Sequence, residues 1–208
     1  KVREVRDGHE RAVDTLEYSD YEVQRLLEMA FSLAHGRKKK VTSVDKANVL
    51  ESSRLWRKIA LEVGARNPDI TLEHMLVDTA AMRLITSPAS FDILVTENMF
   101  GDILTDEASV LPGSMGMLPS ASLGSGSKGV YEPIHGSAPD IAGKSIANPL
   151  GTILSTALLL RYSLKLEDEA SQIEQAVESA IEQGKRTVDL GGSLSTGEMT
   201  DCVLANMA

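Results

Sequence analysis

A single cysteine, Cys202, in 208 residues excludes an intrachain disulfide and fits a reducing compartment. A cytoplasmic location is expected, or an organelle stroma or matrix should a transit peptide precede the chain. No apolar run reaches the roughly 20 residues that span a bilayer. The longest, Leu150 to Leu160, is interrupted by Gly151, Thr152, Ser155 and Thr156 and reads as a buried core helix, so no membrane partner is expected. Positive charge is scarce: 21 Lys and Arg against 30 Asp and Glu give a formal charge of -9, which argues against a nucleic-acid partner. The basic cluster Arg37-Lys38-Lys39-Lys40 reads as the solvated end of a helix. Internal repeats, heptad arrays and low-complexity segments are absent. So are an initiator Met and a signal or transit pattern ahead of Lys1-Val2-Arg3-Glu4, which gives the expectation of a chain that starts within a longer protein.

With 42% hydrophobic residues the chain can bury one large or two small cores. Residues 1–18 are polar and aperiodic and read as an extended arm. Val23, Leu26, Leu27, Ala30, Phe31 and Ala34 then recur at helical spacing, with Ser19 or Asp20 as cap and Gly36 as stop. Strands are expected over 40–44, 70–77 and 91–95, separated by helices over 49–63 and 79–85. Strands alternating with helices imply parallel pairing, and open sheets of that kind bind ligands beyond the carboxyl ends of their strands. Residues 112–129, rich in Gly, Ser and Pro, read as a long loop or a crossing between domains. Helices are expected from Asn148-Pro149 to about Ser163, over 169–183 and from Ser195, with a short strand at 187–190.

The chemistry centres on Asn98 to Glu107, which sets Asp102 and Asp106 four residues apart at the start of a helix and so on one face of it. Two such anions repel unless a cation lies between them, and a hard divalent ion, Mg2+ or Mn2+, suits oxygen donors. Taken alone, the pair reads more simply as acids complementing a helix dipole. Lys46 and Asp78 shift the balance, because each follows a predicted strand at the same sheet edge. Further on, Tyr131 to Gly143 carries small residues at 136, 138, 142 and 143 that let backbone N–H groups approach an anion, with Asp140 as an acceptor for a ribose hydroxyl. The segment reads equally as a tight structural loop.

Five segments together resemble the isocitrate/isopropylmalate dehydrogenase family and, within those metal-dependent β-decarboxylating dehydrogenases, the 3-isopropylmalate enzymes. They are Ser43 to Leu50, Val77-Asp78-Thr79-Ala80-Ala81-Met82, Asn98 to Asp106, Gly113 to Ala121, and His135 to Gly143. The resemblance runs from about Tyr18 to the C-terminus. It implies an α/β chain with that family's three-layer α/β/α fold, incomplete at the N-terminus. Residues 1–112 would be the later part of a substrate, metal and dimerisation domain, and 113–208 the C-terminal half of an NAD-binding domain. By resemblance, Asp102 and Asp106 bind Mg2+ or Mn2+, and Asp102 also counts as catalytic. Asp78 joins them across a homodimer interface and touches substrate, while Lys46 binds substrate and transfers a proton, also in the partner's site. His135-Gly136-Ser137-Ala138-Pro139-Asp140-Ile141-Ala142-Gly143 and Asn148 would hold NAD, which this family binds without a GxGxxG fingerprint. Asp140 followed by Ile141 favours NAD over NADP, since a 2'-phosphate would be repelled.

The implied reaction is oxidative decarboxylation of (2R,3S)-3-isopropylmalate to 4-methyl-2-oxopentanoate and CO2 in leucine biosynthesis. The chain departs from the family in lacking its long N-terminal region, with three substrate-binding arginines, the residues selecting the isopropyl group and a catalytic tyrosine. On its own it is therefore expected to be inactive. Thr79 stands where Asn is common. Rival readings are a sibling dehydrogenase for isocitrate, homoisocitrate or tartrate, and a noncatalytic dimerisation and metal-binding module.

Overall fold

The structure, a computed structural model, describes residues 2–207. It divides between Ala108 and Ser109 into two compact units, ahead of the boundary expected at 112/113.

In the first unit a parallel sheet of order β4-β3-β5 is formed by β3 (Lys40–Asp45), β4 (Thr71–Leu76) and β5 (Ile93–Val95). Side chains alternate between its faces. Val41 packs with α1 (Asp20–His35) and α2 (Glu51–Ala65) around Leu27, Phe31, Trp56, Ile59 and Val63. Val44 and Met75 pack on the opposite side with Ala80 and Leu84 of α3 (Val77–Thr86) and Leu104 of α4 (Asn98–Ala108). This is the expected three-layer α/β/α arrangement. Helix α1 starts where its cap predicts, with the Ser19 N–H donating to the Glu22 carboxylate at 2.8 Å. The basic run after it is spoken for by acids: Arg37 meets Asp92 at 2.8 Å, Lys39 meets Asp69 at 3.1 Å and Lys40 meets Glu73 at 2.8 Å.

Residues 1–18 differ from expectation. Val2–Arg6 (β1) and His9–Val13 (β2) pair as an antiparallel hairpin, turned by Asp7 and Gly8 at φ of +52° and +79°. Two consecutive positive φ values are what a two-residue hairpin turn requires, and Asp-Gly supplies them. Nearly every residue of the hairpin is exposed on both faces.

In the second unit the expected loop over 112–129 instead holds a short helical turn and β6 (Pro119–Leu123), which pairs antiparallel with β7 (Gly129–Pro133). Helix α5 (Leu150–Leu159) lies against this hairpin and then widens into one π-helical turn over 160–164, where a regular helix was expected. The core joins Leu150 to Ala176, Val177 and Ala180 of α6 (Glu167–Glu182) and to Met199 and Val203 of α7 (Thr196–Ala205). The strand expected at 187–190 is a 3-10 turn with one isolated bridge, Thr187 to Leu194. Gly191, at φ +78°, ends it before a ladder can form. Among the described residues no helix is long and apolar enough to cross a membrane.

Candidate functional site

Parallel order places the carboxyl ends of β3, β4 and β5 on one edge. Lys46 follows β3 directly, Asp78 lies in the first turn of α3 just after β4, and α4 begins shortly after β5. The Lys46 ammonium donates to the Asp78 carboxylate as an ion pair, and this hydrogen bond holds the Asp78 carboxyl below the usual carboxylate range. The main chain of Lys46 is gripped as well: its N–H donates to Ser53 Oγ at 3.0 Å, and its carbonyl accepts from Val49 and Leu50 at 2.9 Å.

On α4, Phe100 and Leu104 turn into the core, so Asp102 and Asp106 stand exposed on the outer face. The Asn98 amide donates to Asp102 at 3.4 Å. Hard carboxylate oxygens at i and i+4 on a solvent-facing helix surface fit a divalent Mg2+ or Mn2+. The three predicted metal carboxylates do not gather within one chain: among the described residues no three His, Cys, Asp or Glu side chains are grouped to hold a metal. What is brought together is Lys46 with Asp78.

Helix α4 is anchored by a residue that the sequence reading passed over. Glu97, 7% exposed, accepts the N–H groups of Met99 at 3.0 Å and Phe100 at 2.9 Å, capping the helix, and accepts the Tyr18 hydroxyl at 2.7 Å. Burial, and then this carboxylate, push the Tyr18 hydroxyl above its ordinary pKa. A carboxylate just ahead of a helix start is the signal that could have found Glu97. Asp45 and Arg57 were missed too: the buried Asp45 carboxylate next to Lys46 in the chain is paired with the half-exposed Arg57 guanidinium. A surface groove of about 510 Å³ runs between Leu16 to Tyr18 and the first turns of α2, and none of the candidate residues lines it.

In the second unit, His135 to Gly143 form a turn-rich, mostly exposed segment. Ile141 N–H donates to the Ala138 carbonyl at 3.1 Å, and Ala138, Gly143 and Ser145 adopt φ of +41°, +75° and +53°. His135 donates from Nδ1 to the Gly136 carbonyl at 2.9 Å. A Cβ added at Gly136 or Gly143 would meet nothing within 4 Å, so the backbone there is open to the approach of a dinucleotide, and Asp140 is exposed beside it. Asn148 stands apart, 8% exposed. Its amide donates to Asp189 at 3.0 Å and its oxygen accepts the Leu150 N–H at 3.0 Å, which makes it a clasp at the start of α5. Burial works against the Asp189 carboxylate, yet hydrogen bonds from Ser114, Thr187 and Asn148 hold its pKa below the usual value.

Comparison with known proteins supplies the context. The family model described as isocitrate/isopropylmalate dehydrogenase matches residues 1–203. A protein from Anaeromyxobacter dehalogenans named 3-isopropylmalate dehydrogenase is 71% identical over 208 residues, which is 100% of this chain and 59% of that protein. Its namesake from Geobacillus kaustophilus is 61% identical over 203 residues, 96% of this chain and 55% of that protein. Among solved structures, a β-decarboxylating dehydrogenase from Thermococcus kodakarensis matches with a TM-score of 0.89 at 36% identity, covering 99% of this chain and 60% of that one. An isocitrate dehydrogenase from Methylococcus capsulatus matches with a TM-score of 0.84 at 38% identity, covering 96% of this chain and 58% of that one. The chain thus spans between half and two thirds of the length of these relatives.

Proposed function

The chain belongs to the isocitrate/isopropylmalate dehydrogenase family, and on that premise we propose that the whole protein performs NAD-dependent oxidative decarboxylation of 3-isopropylmalate to 4-methyl-2-oxopentanoate and CO2 in leucine biosynthesis. The observation that carries this choice over its siblings is the identity of 71% and 61% to proteins named for that activity, against 38% to an isocitrate dehydrogenase. Asp102 and Asp106 would hold Mg2+ or Mn2+, completed by Asp78 of a second copy, and His135 to Gly143 would form part of the NAD site, with the buried Asn148 bracing the start of α5 instead of touching the dinucleotide. When bound, the ion supplies Lewis-acid stabilisation of negative charge on substrate oxygens and the dinucleotide accepts a hydride.

The chain's own residues have separate tasks. Lys46 holds a proton at Nζ for transfer at the substrate, and the Asp78 carboxylate fixes the direction in which that ammonium points. Glu97 holds the first turn of α4 and so the approach of Asp102. Asp140 accepts a hydroxyl of the adenosine ribose and disfavours a phosphate at the same position.

A homodimer is part of the proposal. Met82 and Ile85 on α3 and Met99 and Ile103 on α4 are 69%, 68%, 49% and 60% exposed, an apolar stripe on two helices packed side by side. The β1–β2 hairpin, exposed on both faces, gains from pairing elsewhere, because an isolated two-stranded hairpin is marginal in water. A cytoplasmic setting completes the reading.

The test is an assay of the full-length protein on 3-isopropylmalate, isocitrate, homoisocitrate and tartrate with NAD and Mn2+. A preference for 3-isopropylmalate is expected; preference for another acid, or no turnover of any, overturns the assignment. Asp102→Asn should abolish turnover and weaken Mn2+ binding while leaving the fold intact, since it removes charge and little volume. Retained activity with unchanged Mn2+ affinity counts against the metal role.

A further inference from the structure

We infer that Asp45 at the end of β3 and Ser53 and Arg57 of the first turns of α2 are positioning residues for Lys46, forming a clamp that sets where its ammonium is delivered. The inference rests on the proposed proton transfer by Lys46.

Asp45, the last residue of β3, is 1% exposed, yet it is a carboxylate. Arg57 donates to both its oxygens, from Nε and Nη2, at 2.8 Å each. The carboxylate is buried while the Arg57 side chain keeps 36% of its surface exposed, so the pair holds a desolvated charge in place at the end of β3 and contributes little to stability beyond that. The remaining capacity of the carboxylate goes to the turn itself: Oδ1 accepts the Ala47 N–H at 2.9 Å. Ser53, 5% exposed, takes the Lys46 N–H at 3.0 Å. Arg54 Nε donates to the Ala47 carbonyl at 3.0 Å. Ser53 and Arg57 stand at i and i+4 on α2 and share one face of it. Every main-chain polar group of Lys46 and Ala47 is therefore bonded, through either a side chain of this cluster or the Val49 and Leu50 N–H groups. The lysine keeps only its side-chain torsions, and its tip is caught by Asp78. Alignment of this kind governs the rate of a positioned proton transfer, whereas it need not alter how tightly substrate binds.

The experiment uses the full-length dehydrogenase with Mn2+, NAD and 3-isopropylmalate. It compares wild type with Lys46→Met, Arg57→Gln, Arg57→Lys and Ser53→Ala, and also follows hydrogen exchange of the Lys46 and Ala47 amides. Arg57→Gln and Ser53→Ala should lower kcat by on the order of 10- to 100-fold with KM little changed, and should speed exchange at those two amides. Arg57→Lys should recover part of kcat by restoring one ionic contact. Wild-type kcat in both clamp variants, a loss confined to KM, or slow exchange retained at both amides would overturn the clamp. If Arg57→Gln does not fold, Ser53→Ala decides, since it deletes one oxygen and leaves the Asp45–Arg57 pair intact. The two readings separate cleanly. Full kcat in Lys46→Met sinks the proton-transfer reading, while a slow Lys46→Met beside fast clamp variants sinks only the clamp.

Discussion

Replacing Gly151 by alanine sets two opposed effects against each other, and the packing around α5 decides the sign. In an open helix interior the change stabilises by up to about 1 kcal/mol, and by less at the second residue of a helix, where Gly151 sits. A Cβ at this position would stand 2.9 Å from the Gly116 carbonyl oxygen, 3.2 Å from that of Leu118 and 3.2 Å from Pro133 Cβ. Two of these three atoms are main chain and cannot rotate aside. Gly116 has no room to withdraw either, since a Cβ built on it would lie 2.8 Å from Asn148 Cβ. Helix α5 must therefore lift off the β6–β7 hairpin, at the roughly 1–3 kcal/mol typical of an overfilled core. The net expectation is a loss of about 1–2 kcal/mol, or roughly 2–4 °C in Tm for each kcal/mol in a chain of this size. Urea and thermal unfolding of Gly151→Ala measure it. Gly64→Ala is the internal control: its Cβ would meet Leu72 Cδ2 at 2.8 Å, the far end of a flexible side chain, so its stability should stay within about 0.5 kcal/mol of wild type. Unchanged or increased stability in Gly151→Ala would refute the argument from close approach.

Neither ring nitrogen of His74 meets a hydrogen-bond partner among the described residues, and burial, then the Arg57 charge, lower its pKa against a smaller opposing effect of Asp45. A lowered folded pKa means that stability is complete above the unfolded value near 6.5 and is lost as pH falls through the folded one, so His74→Leu should flatten the stability profile below pH 6.5, and an unaltered profile in urea titrations would contradict this. Phe31, 1% exposed among Leu27, Trp56, Ile59 and Val63, should cost about 3–5 kcal/mol as Phe31→Ala. A loss below about 1 kcal/mol in the urea midpoint would mean that the core closes over the gap.

The elements that were legible are those whose burial imposes a period. Helix α1 shows its stripe because Val23, Leu27, Ala30, Phe31 and Ala34 all face one core, and its cap is written in Ser19 and Glu22. The three parallel strands were legible from their boundaries. The two hairpins were not, for opposite reasons. β1 and β2 are exposed on both faces and carry no alternation, leaving only Asp7-Gly8 as a sign of the turn. β6 lies in a Gly-, Ser- and Pro-rich stretch whose composition is that of a loop, and the residue that lets α5 come close to the hairpin, Gly151, stands on the helix and not in the strands.

The sequence could name candidate residues and the sheet edge they follow, but not what supports them. Lys46 and Asp78 could be placed at one edge because parallel order puts the ends of β3 and β4 side by side. Arg57 could not, since periodicity assigns an arginine on α2 to solvent, and only the fold shows that its guanidinium reaches back to Asp45. The same holds for Tyr18 and Glu97, 79 residues apart and joined by one hydrogen bond. The carboxylates proposed for the metal show the limit from the other side. Two acids on α4 leave a hard divalent ion with most of its six or more oxygen positions still to fill from water, substrate or another carboxylate. Asp78 is paired with Lys46 of its own chain, so the two lie at one place on the sheet edge. In a dimer of the proposed kind, an Asp78 that completes the partner's metal site therefore brings Lys46 into that same site, and a proton donor and a metal ligand arrive together from one protomer.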